Sequence, residues 1–394
     1  MSLSAAMQIG RTALNASQLG IATTGNNMAN AATPGYRRQI ATLTPVRGAG
    51  QGLAGSVGLG VAVSDIRRQV SASLENRARG ALSDEHASLA RQNILGAIET
   101  TLGELGDNDL SSQLSSFFNA WSERANLVQS SAVVVQEGKS LSSFVQRLRS
   151  DLVEQKTAIN QELAAASSRA NDLLDQIATL NQSISSAEGA ASTANSLRDQ
   201  RDSLVEELST LMDVSVIERG GSVDVLVAST PVVLGSTSRG VTMTRAANGE
   251  TRLATRDDGS ILSPTSGAIG ALIAERDGSV DRSIDAVDSL ASQIIFEVNR
   301  IHSTSIGDSW LRTTTGSLPL PTADRTLALN DPANTTLAGL PFAPTNGGFT
   351  INVRNTATGS VNSVRIDVDL DGITAAGLPG AADDTSADDI RAAI

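Results

Sequence analysis

The feature that most constrains the fold is a long apolar pattern between residues 141 and 184, in which steps of three and four alternate. Its positions are Leu141, Val145, Leu148, Leu152, Ile159, Leu163, Ala166, Ala170, Leu173, Ile177, Leu180 and Ile184, and Gln155 fills one slot. This spacing predicts an amphipathic helix in a coiled-coil-like bundle, with a stutter around Ile159. At ~1.5 Å per residue the helix is about 65 Å long, which favours an elongated subunit over a compact enzyme.

Composition excludes several classes of protein. Aromatic residues make up only 2% of the 394 residues, so Ala, Leu, Val and Ile must fill the core, which favours close-packed helices. The absence of cysteine excludes disulfides, thiolate zinc sites and cysteine nucleophiles. A net charge of −12 argues against nucleic acid or an anionic membrane as a partner. We expect no cofactor and no bound metal.

The N-terminal segment carries a narrower apolar seam. Met7, Leu14, Ile21 and Met28 stand seven residues apart, and Leu3 begins the same pattern. Arg11 is the one charged residue before Tyr36, and small or polar residues fill the other positions. Such a helix is marginal alone in water, so we expect partner helices to cover it, from this chain or from neighbouring subunits.

Changes between helical and strand-like residue patterns along the chain predict a mainly α, multidomain protein with all-β outer parts. The expected segments are an N-terminal helix and turn over 1–40, a Gly-rich loop and short strand over 41–68, a helical bundle over 69–213, a β-rich subdomain over 214–265, a helix returning to the bundle over 266–305, and an outer β domain over 306–394. The further residues expected in the bundle core are Leu197, Leu204, Leu208, Ile284, Val287, Ile294 and Val298.

Two motifs suggest ligand chemistry but lack its context. Residues 50–55 match a dinucleotide fingerprint, yet a strand follows where the binding helix should begin, which favours a loop. Asp367, Asp369 and Asp371 open like a calcium loop, but Leu378 stands where the closing glutamate should be. A strand ending in an Asp-Gly turn explains them better.

The remaining candidates are weaker. His86 and His302 lie in helical patterns without a metal or catalytic motif. Helical spacing places the aromatic residues 117, 118 and 121 in the bundle core. The pairs Arg37-Arg38 and Arg67-Arg68 are too small for a nucleic-acid patch, and we expect them to be solvated or bound to a neighbouring subunit. The sequence shows neither a secretory leader nor a membrane span.

A resemblance to a known family appears where the seam ends. Asn26, Asn27 and Asn30, followed by Thr33-Pro34-Gly35-Tyr36, resemble the N-terminal signature shared by flagellar rod, hook and hook-associated proteins. Ala32 departs from it, because many relatives carry asparagine there. Asn, Pro and Gly also favour the turn that ends the helix.

A narrower resemblance covers the chain up to about residue 305. Residues 177–181, 194–202, 267–272 and 298–302 are similar, in order, to the helical domain of the hook-associated protein 1 family. The resemblance implies a non-catalytic subunit that leaves the cell unfolded through the flagellar type III export apparatus with an export chaperone. It implies assembly at the hook tip by self-association in a ring or helical layer, between hook protein and hook-associated protein 3. The family ends in a C-terminal helix that is not evident here, so we expect a sequence truncated at that end.

Three alternatives remain. One is another axial protein of the hook or rod, which usually lacks the long helical rod. The second is an exported cell-wall hydrolase, for which no catalytic carboxylate stands out. The third is a calcium-binding adhesin, which depends on the acidic residues after position 366.

Overall fold

The computed structural model describes residues 3–46, 58–103, 109–126, 130–188, 193–247, 249–303, 319–338 and 343–394. It divides into two compact units, Met1–Asp288 and Ser289–Ile394. The dinucleotide-like motif at residues 50–55 lies outside the described residues. Within the described ranges, no helix combines the length and the apolar character needed to cross a bilayer.

Helices dominate the first unit. They are α1 (Leu3–Ala29), α2 (Ala72–Leu102), α3 (Leu110–Ala125), α4 (Ser131–Glu188), α5 (Asn195–Leu211), α6 (Gly267–Glu275) and α7 (Asp281–Ser303), whose last residues belong to the second unit. The predicted long helix is confirmed as α4, which extends past both expected ends to 58 residues, about 87 Å at ~1.5 Å per residue. Helices α2, α3, α5 and α6 pack against it.

The predicted core positions separate into two groups. The buried ones are Leu141, Leu148, Leu152, Ile159, Leu163, Leu173, Ile177, Ile184, Leu208, Ile284 and Val287. The half-buried ones are Val145, Leu180, Leu197, Leu204, Ile294 and Val298. Ile294 and Val298 also lie beyond Asp288, in the second unit.

One predicted helix contains a bulge. The helix expected over 266–305 is present without a break from Gly267 to Ser303, but a π-helical turn at Arg276–Val280, which spacing did not predict, joins α6 to α7. Arg276 is only 3% exposed, and its Nε donates to Asn160 of α4 at 2.5 Å. The apolar pattern conceals the turn, because Val280 at its end remains buried like the positions that follow.

Antiparallel strands complete the first unit. They are β1 (Gln39–Pro45), β2 (Val61–Arg68), β3 (Val214–Arg219), β4 (Ser222–Val227), β5 (Thr230–Leu234), β6 (Thr237–Ser238), β7 (Val241–Arg245), β8 (Thr251–Thr255) and β9 (Ile261–Leu262). They form a β1–β2 hairpin, a four-stranded sheet of β3 to β6 and a three-stranded sheet of β7 to β9. The sequence indicated β2 but missed β1, which crosses the boundary expected at residue 40.

Two asparagines on α4 hold the small sheets against the bundle. Asn181 is 1% exposed; its amide donates to the Val223 carbonyl at 2.8 Å and accepts from the Val223 N–H at 3.1 Å. Asn171 makes the same pair of bonds with Val241, at 2.9 and 2.7 Å. Each side-chain amide therefore satisfies a backbone donor and acceptor as a neighbouring strand would.

The second unit is less β-rich than expected. Its described part contains the end of α7, a hairpin of β10 (Gly347–Arg354) and β11 (Val361–Val368), and the short helices α8 (Thr322–Arg325), α9 (Thr335–Ala338) and α10 (Ala387–Ala393). The expectation of an all-β outer part is therefore wrong for these residues. Ser386 is the N-cap of α10, because Ser386 and Asp389 form a reciprocal capping box.

Candidate assembly surface

The apolar seam of α1 lies in the open. Leu3 is 80% exposed, Met7 70%, Leu14 59%, Ile21 74% and Met28 77%. Isolated apolar side chains are common on surfaces, but these form one continuous stripe along a 27-residue helix. The stripe therefore needs a partner that this chain, in its described part, does not supply.

The opposite face of α1 is already occupied. Ala16 and Thr23 are buried, and α1 packs against β1 and β2 of its own chain. At 3.6 residues per turn, this face and the seam are centred about 160° apart. Small side chains permit the close contact, as at Thr12, whose hydroxyl accepts from the Val61 N–H at 3.4 Å. The helix thus has two contact faces, of which the hairpin covers one.

The signature after α1 is organised around one asparagine. The Asn27 amide donates to the Gln39 carbonyl at 2.8 Å and accepts from the Gln39 N–H at 2.9 Å. The Tyr36 hydroxyl donates to the same Asn27 oxygen at 2.8 Å. Burial, with the nearby charge of Asp199, raises the pKa of Tyr36, so the hydroxyl keeps the proton that it donates. These bonds fix the start of β1 relative to the end of α1.

The rest of the signature closes the turn. Asn26 donates to the Tyr36 hydroxyl at 3.2 Å, and Asn30 donates to the carbonyl and side-chain oxygens of Asn26, both at 3.0 Å. Pro34 is exposed, and Gly35 has φ of +77°. A Cβ on Gly35 would lie 2.3 Å from the Ser203 hydroxyl of α5, so both the conformation and the contact require glycine.

Arg37 continues from this turn into an ion-pair network. Its Nε donates to Glu75 of α2 at 3.1 Å, and Nη2 forms an ion pair with Glu206 of α5. The Arg37 N–H also donates to Asp199 at 3.3 Å. Partial burial lowers the pKa of Arg37, but the hydrogen bonds and charges of Glu75 and Glu206 outweigh it and raise the pKa. Arg37 therefore connects the signature to two helices of the bundle.

Arg68, at the end of β2, makes the more buried contact. Its side chain is 5% exposed, and Nη1 lies 2.9 Å from Asp199 and 2.5 Å from Asp202. Burial lowers the pKa of Arg68, and the charges and hydrogen bonds of the two aspartates more than offset this. Both carboxylates come from α5, within the stretch 194–202 that carried the resemblance, and Arg201 of the same stretch is also buried. We call Arg37, Arg68 and their four carboxylates the signature hub.

The hub corrects the interpretation of the two arginine pairs. One member of each pair, Arg37 and Arg68, binds carboxylates within its own chain. The other members, Arg38 and Arg67, are exposed. Sequence reasoning missed the hub because its acidic residues lie far along the chain, at 75, 199, 202 and 206. The signal available was the repeated Arg-Arg pair flanking a hairpin.

Other residues considered in the sequence lie elsewhere. Phe117 is buried, but Phe118 is 54% and Trp121 41% exposed, so the expectation of a core role holds for Phe117 alone. In the second unit, carboxylate oxygens of Asp369, Asp371 and Asp384 lie within 4.8 Å of one another. Asp384 accepts from Asn330 and the Gly372 N–H. Asp369 and Asp371 are exposed and Asp384 is buried, and acidic groups that lie close together do not by themselves define a metal site.

Comparison with known proteins agrees with this arrangement. Residues 95–309 match the flagellar hook-associated protein FlgK helical domain, and residues 7–37 match the flagella basal body rod protein family. Flagellar hook-associated protein 1 of Salmonella typhimurium is 28% identical over 305 residues, which cover 74% of this chain and 55% of that protein. The protein of the same name from Bacillus subtilis is 30% identical over 225 residues, covering 53% of this chain and 43% of its own length.

A solved structure shares the fold. The flagellar hook junction protein FlgK from Burkholderia pseudomallei aligns with a TM-score of 0.52 and 20% sequence identity, over 73% of this chain and 56% of that one. The chain thus spans about half the length of the curated relatives that it matches. The helical-domain match covers more than half of the chain and confirms the resemblance drawn from residues 177–302. The chain belongs to the family of flagellar hook-associated proteins that share the FlgK helical domain.

Proposed function

We propose that the chain is a non-catalytic structural subunit of the bacterial flagellum that joins hook to filament. The observation that carries this proposal is the exposed seam of α1, together with the hairpin on its opposite face. Assembly buries the seam between subunits, and the hydrophobic effect stabilises the contact at roughly 25 cal/mol per Å² removed from water. A helix that is marginal alone becomes ordered between its own hairpin and its neighbours.

The partners follow from this place in the flagellum. Copies of the chain associate in a ring or helical layer at the hook tip, with hook protein on one side and hook-associated protein 3 on the other. The chain reaches that site unfolded, through the flagellar export apparatus with an export chaperone. The signature hub supports this role, because its ion pairs hold the end of α1 and the hairpin against α2 and α5. The helix that makes contacts between subunits is thereby attached to the helical bundle.

The other predicted functions receive less support. A hook or rod protein would share the signature, but the helical-domain match favours a hook-associated member. A calcium-binding adhesin would depend on the cluster of Asp369, Asp371 and Asp384, and acidic groups that lie close together are not by themselves evidence of a bound cation. A hydrolase would need a catalytic carboxylate, and none stands out in the sequence.

Electron microscopy of cells that lack the gene tests the proposal, together with an assay for flagellin in the medium. We expect hooks without filaments and flagellin lost to the medium, because the platform for filament growth is gone. Missing hooks would instead place the chain in the hook or rod. Normal filaments would refute an axial role.

A further inference from the structure

Near Gln39 and Arg68, the outer face of the β1–β2 hairpin carries two arginines and an isoleucine, and the pair Thr42 and Asp65 continues the same face. The carboxylate of Asp65 is already used there, because it accepts from the Thr193 hydroxyl at 2.6 Å. The register pairs Ile40 with Arg67, and the Gln69 N–H donates to the Arg38 carbonyl at 2.8 Å, which continues the pairing. Because side chains alternate along strands, Arg38, Ile40 and Arg67 share one face, and Arg68 points to the other. We call these three residues the hairpin patch.

The hairpin patch is chemically unusual on this molecule. Neither Arg38 nor Arg67 has a side-chain hydrogen bond or ion pair among the described residues, and Ile40 is 37% exposed. The chain carries 42 acidic against 30 basic residues, so two neighbouring unpaired cations stand out. Arg68, on the inner face, ties the hairpin to α5, so the patch is held on a supported strand pair. Such preorganisation lowers the entropy lost on binding.

A complementary surface lies on α4. Asp172 and Asp175 are exposed and one turn apart, which separates their Cβ atoms by about 5–6 Å. Arg38 and Arg67 are diagonal neighbours on the hairpin, about 7–8 Å apart, a difference that long arginine side chains can span. Asp175 lines a cavity of about 630 Å³ between α4 and α5, together with the half-buried Leu180 and Leu204. This surface, the α4 groove, thus offers carboxylates beside an apolar floor.

We propose that the hairpin patch of one copy binds the α4 groove of a second copy. Arg38 and Arg67 pair with Asp172 and Asp175, and Ile40 contacts Leu180 and Leu204. Because two different surfaces meet, the contact is heterologous and repeats from copy to copy, as a ring or helical layer requires. This inference rests on the proposed self-association and names a contact outside the α1 seam.

Charge exchange in the full chain tests the contact in motile cells. R38E/R67E and D172R/D175R should each reduce filaments per cell at least about tenfold, because like charges then face each other. The two pairs combined should restore filaments to within about twofold of the parent, since the attraction is regained with reversed signs. R77E/R147E is the matched control. Arg77 lies on α2 and Arg147 on α4, and both are exposed and have no described partner.

Each outcome decides the matter. Normal filaments in R38E/R67E or in D172R/D175R would overturn the contact, and so would failure of the combined variant to regain filaments with its melting temperature unchanged. Loss of filaments in R77E/R147E to the same extent would also overturn it, since any charge reversal would then suffice. Filaments in cells that lack the gene would refute the proposed function itself. If those cells instead carry hooks without filaments, and the charge-reversal variants form normal filaments, then only the proposed contact is refuted.

Discussion

Helices α1 and α4 carry similar apolar spacing and opposite burial. Leu152 and Leu173 of α4 are at most 1% exposed, whereas Leu14 and Ile21 of α1 are 59% and 74% exposed. On α4 the partners are α2, α3, α5 and two small sheets of the same chain. The comparison teaches that an apolar period predicts a contact face, but does not say whether the partner is in the same molecule.

The largest expected effect on stability comes from α4. Leu173→Asp should lower the free energy of unfolding by at least about 4 kcal/mol, because it places a carboxylate among apolar neighbours with no cation. Thermal and urea unfolding of the purified chain measure this. Gln182→Asp, exposed on the same helix, is the control and should change the free energy by less than about 0.5 kcal/mol. Equal effects would contradict the buried placement of Leu173.

The signature hub, which joins the end of α1 and the hairpin to α2 and α5, should show the next largest effect. Arg68→Met should cost about 3 kcal/mol, because the largely buried Asp199 then loses its cation and Asp202 keeps only the longer contact with Arg201, at 3.7 Å. Hydrogen exchange should become faster in the hairpin and in α1 than in α4. Arg67→Met, its exposed neighbour on β2, should leave stability within about 0.5 kcal/mol. A uniform acceleration of hydrogen exchange over the whole first unit would contradict a local role of the signature hub.

A smaller, pH-dependent effect is expected at the end of α4. Arg198 binds Glu188 through two bonds of 2.7 and 2.8 Å, and this hydrogen bonding, partly opposed by burial, lowers the pKa of Glu188 from 4.5. A lowered pKa stabilises the fold above the unfolded value, and the stabilisation is lost as pH falls through the folded value. Glu188→Gln should therefore cost about 1 kcal/mol near pH 7 and progressively less below about pH 4. A pH-independent difference would rule out this ion pair as the cause.

The smallest effect on stability should accompany the largest effect on assembly. Ile21→Asp should change the melting temperature little, because the side chain is exposed in the isolated chain, yet it should abolish filaments. Asn15→Asp is exposed on the polar flank of α1 and should assemble normally. Normal filaments in Ile21→Asp would show that the seam is not an assembly surface.

Much of the helical architecture could be predicted from apolar spacing, whereas the contacts between distant segments could not. The long helix and the β-rich stretch after Val214 were both evident. Strand β1 was missed because its short apolar run lacks clear alternation over Gln39–Pro45. The π-helical turn was missed because apolar spacing does not report polar contacts, and the turn contains Arg276, whose buried side chain is hydrogen-bonded to Asn160.

The candidate site divides in the same way. The seam residues and the signature asparagines could be named from periodicity and from resemblance. The function of Asn27 as a strand-like partner of Gln39 required the folded turn. Which arginine of each pair faces inward depended on the register of the hairpin against α5, and no local pattern encodes that choice.

By itself, the sequence determined that the chain forms long helices with an apolar face, that its core is aliphatic, and that its first helix seeks a partner. These are consequences of local spacing and composition. Only the tertiary structure decided which faces are covered within the chain. In it the hairpin covers one side of α1, and Ile21 on the other side is exposed. Local spacing cannot decide this, because burial depends on residues brought together from distant parts of the chain.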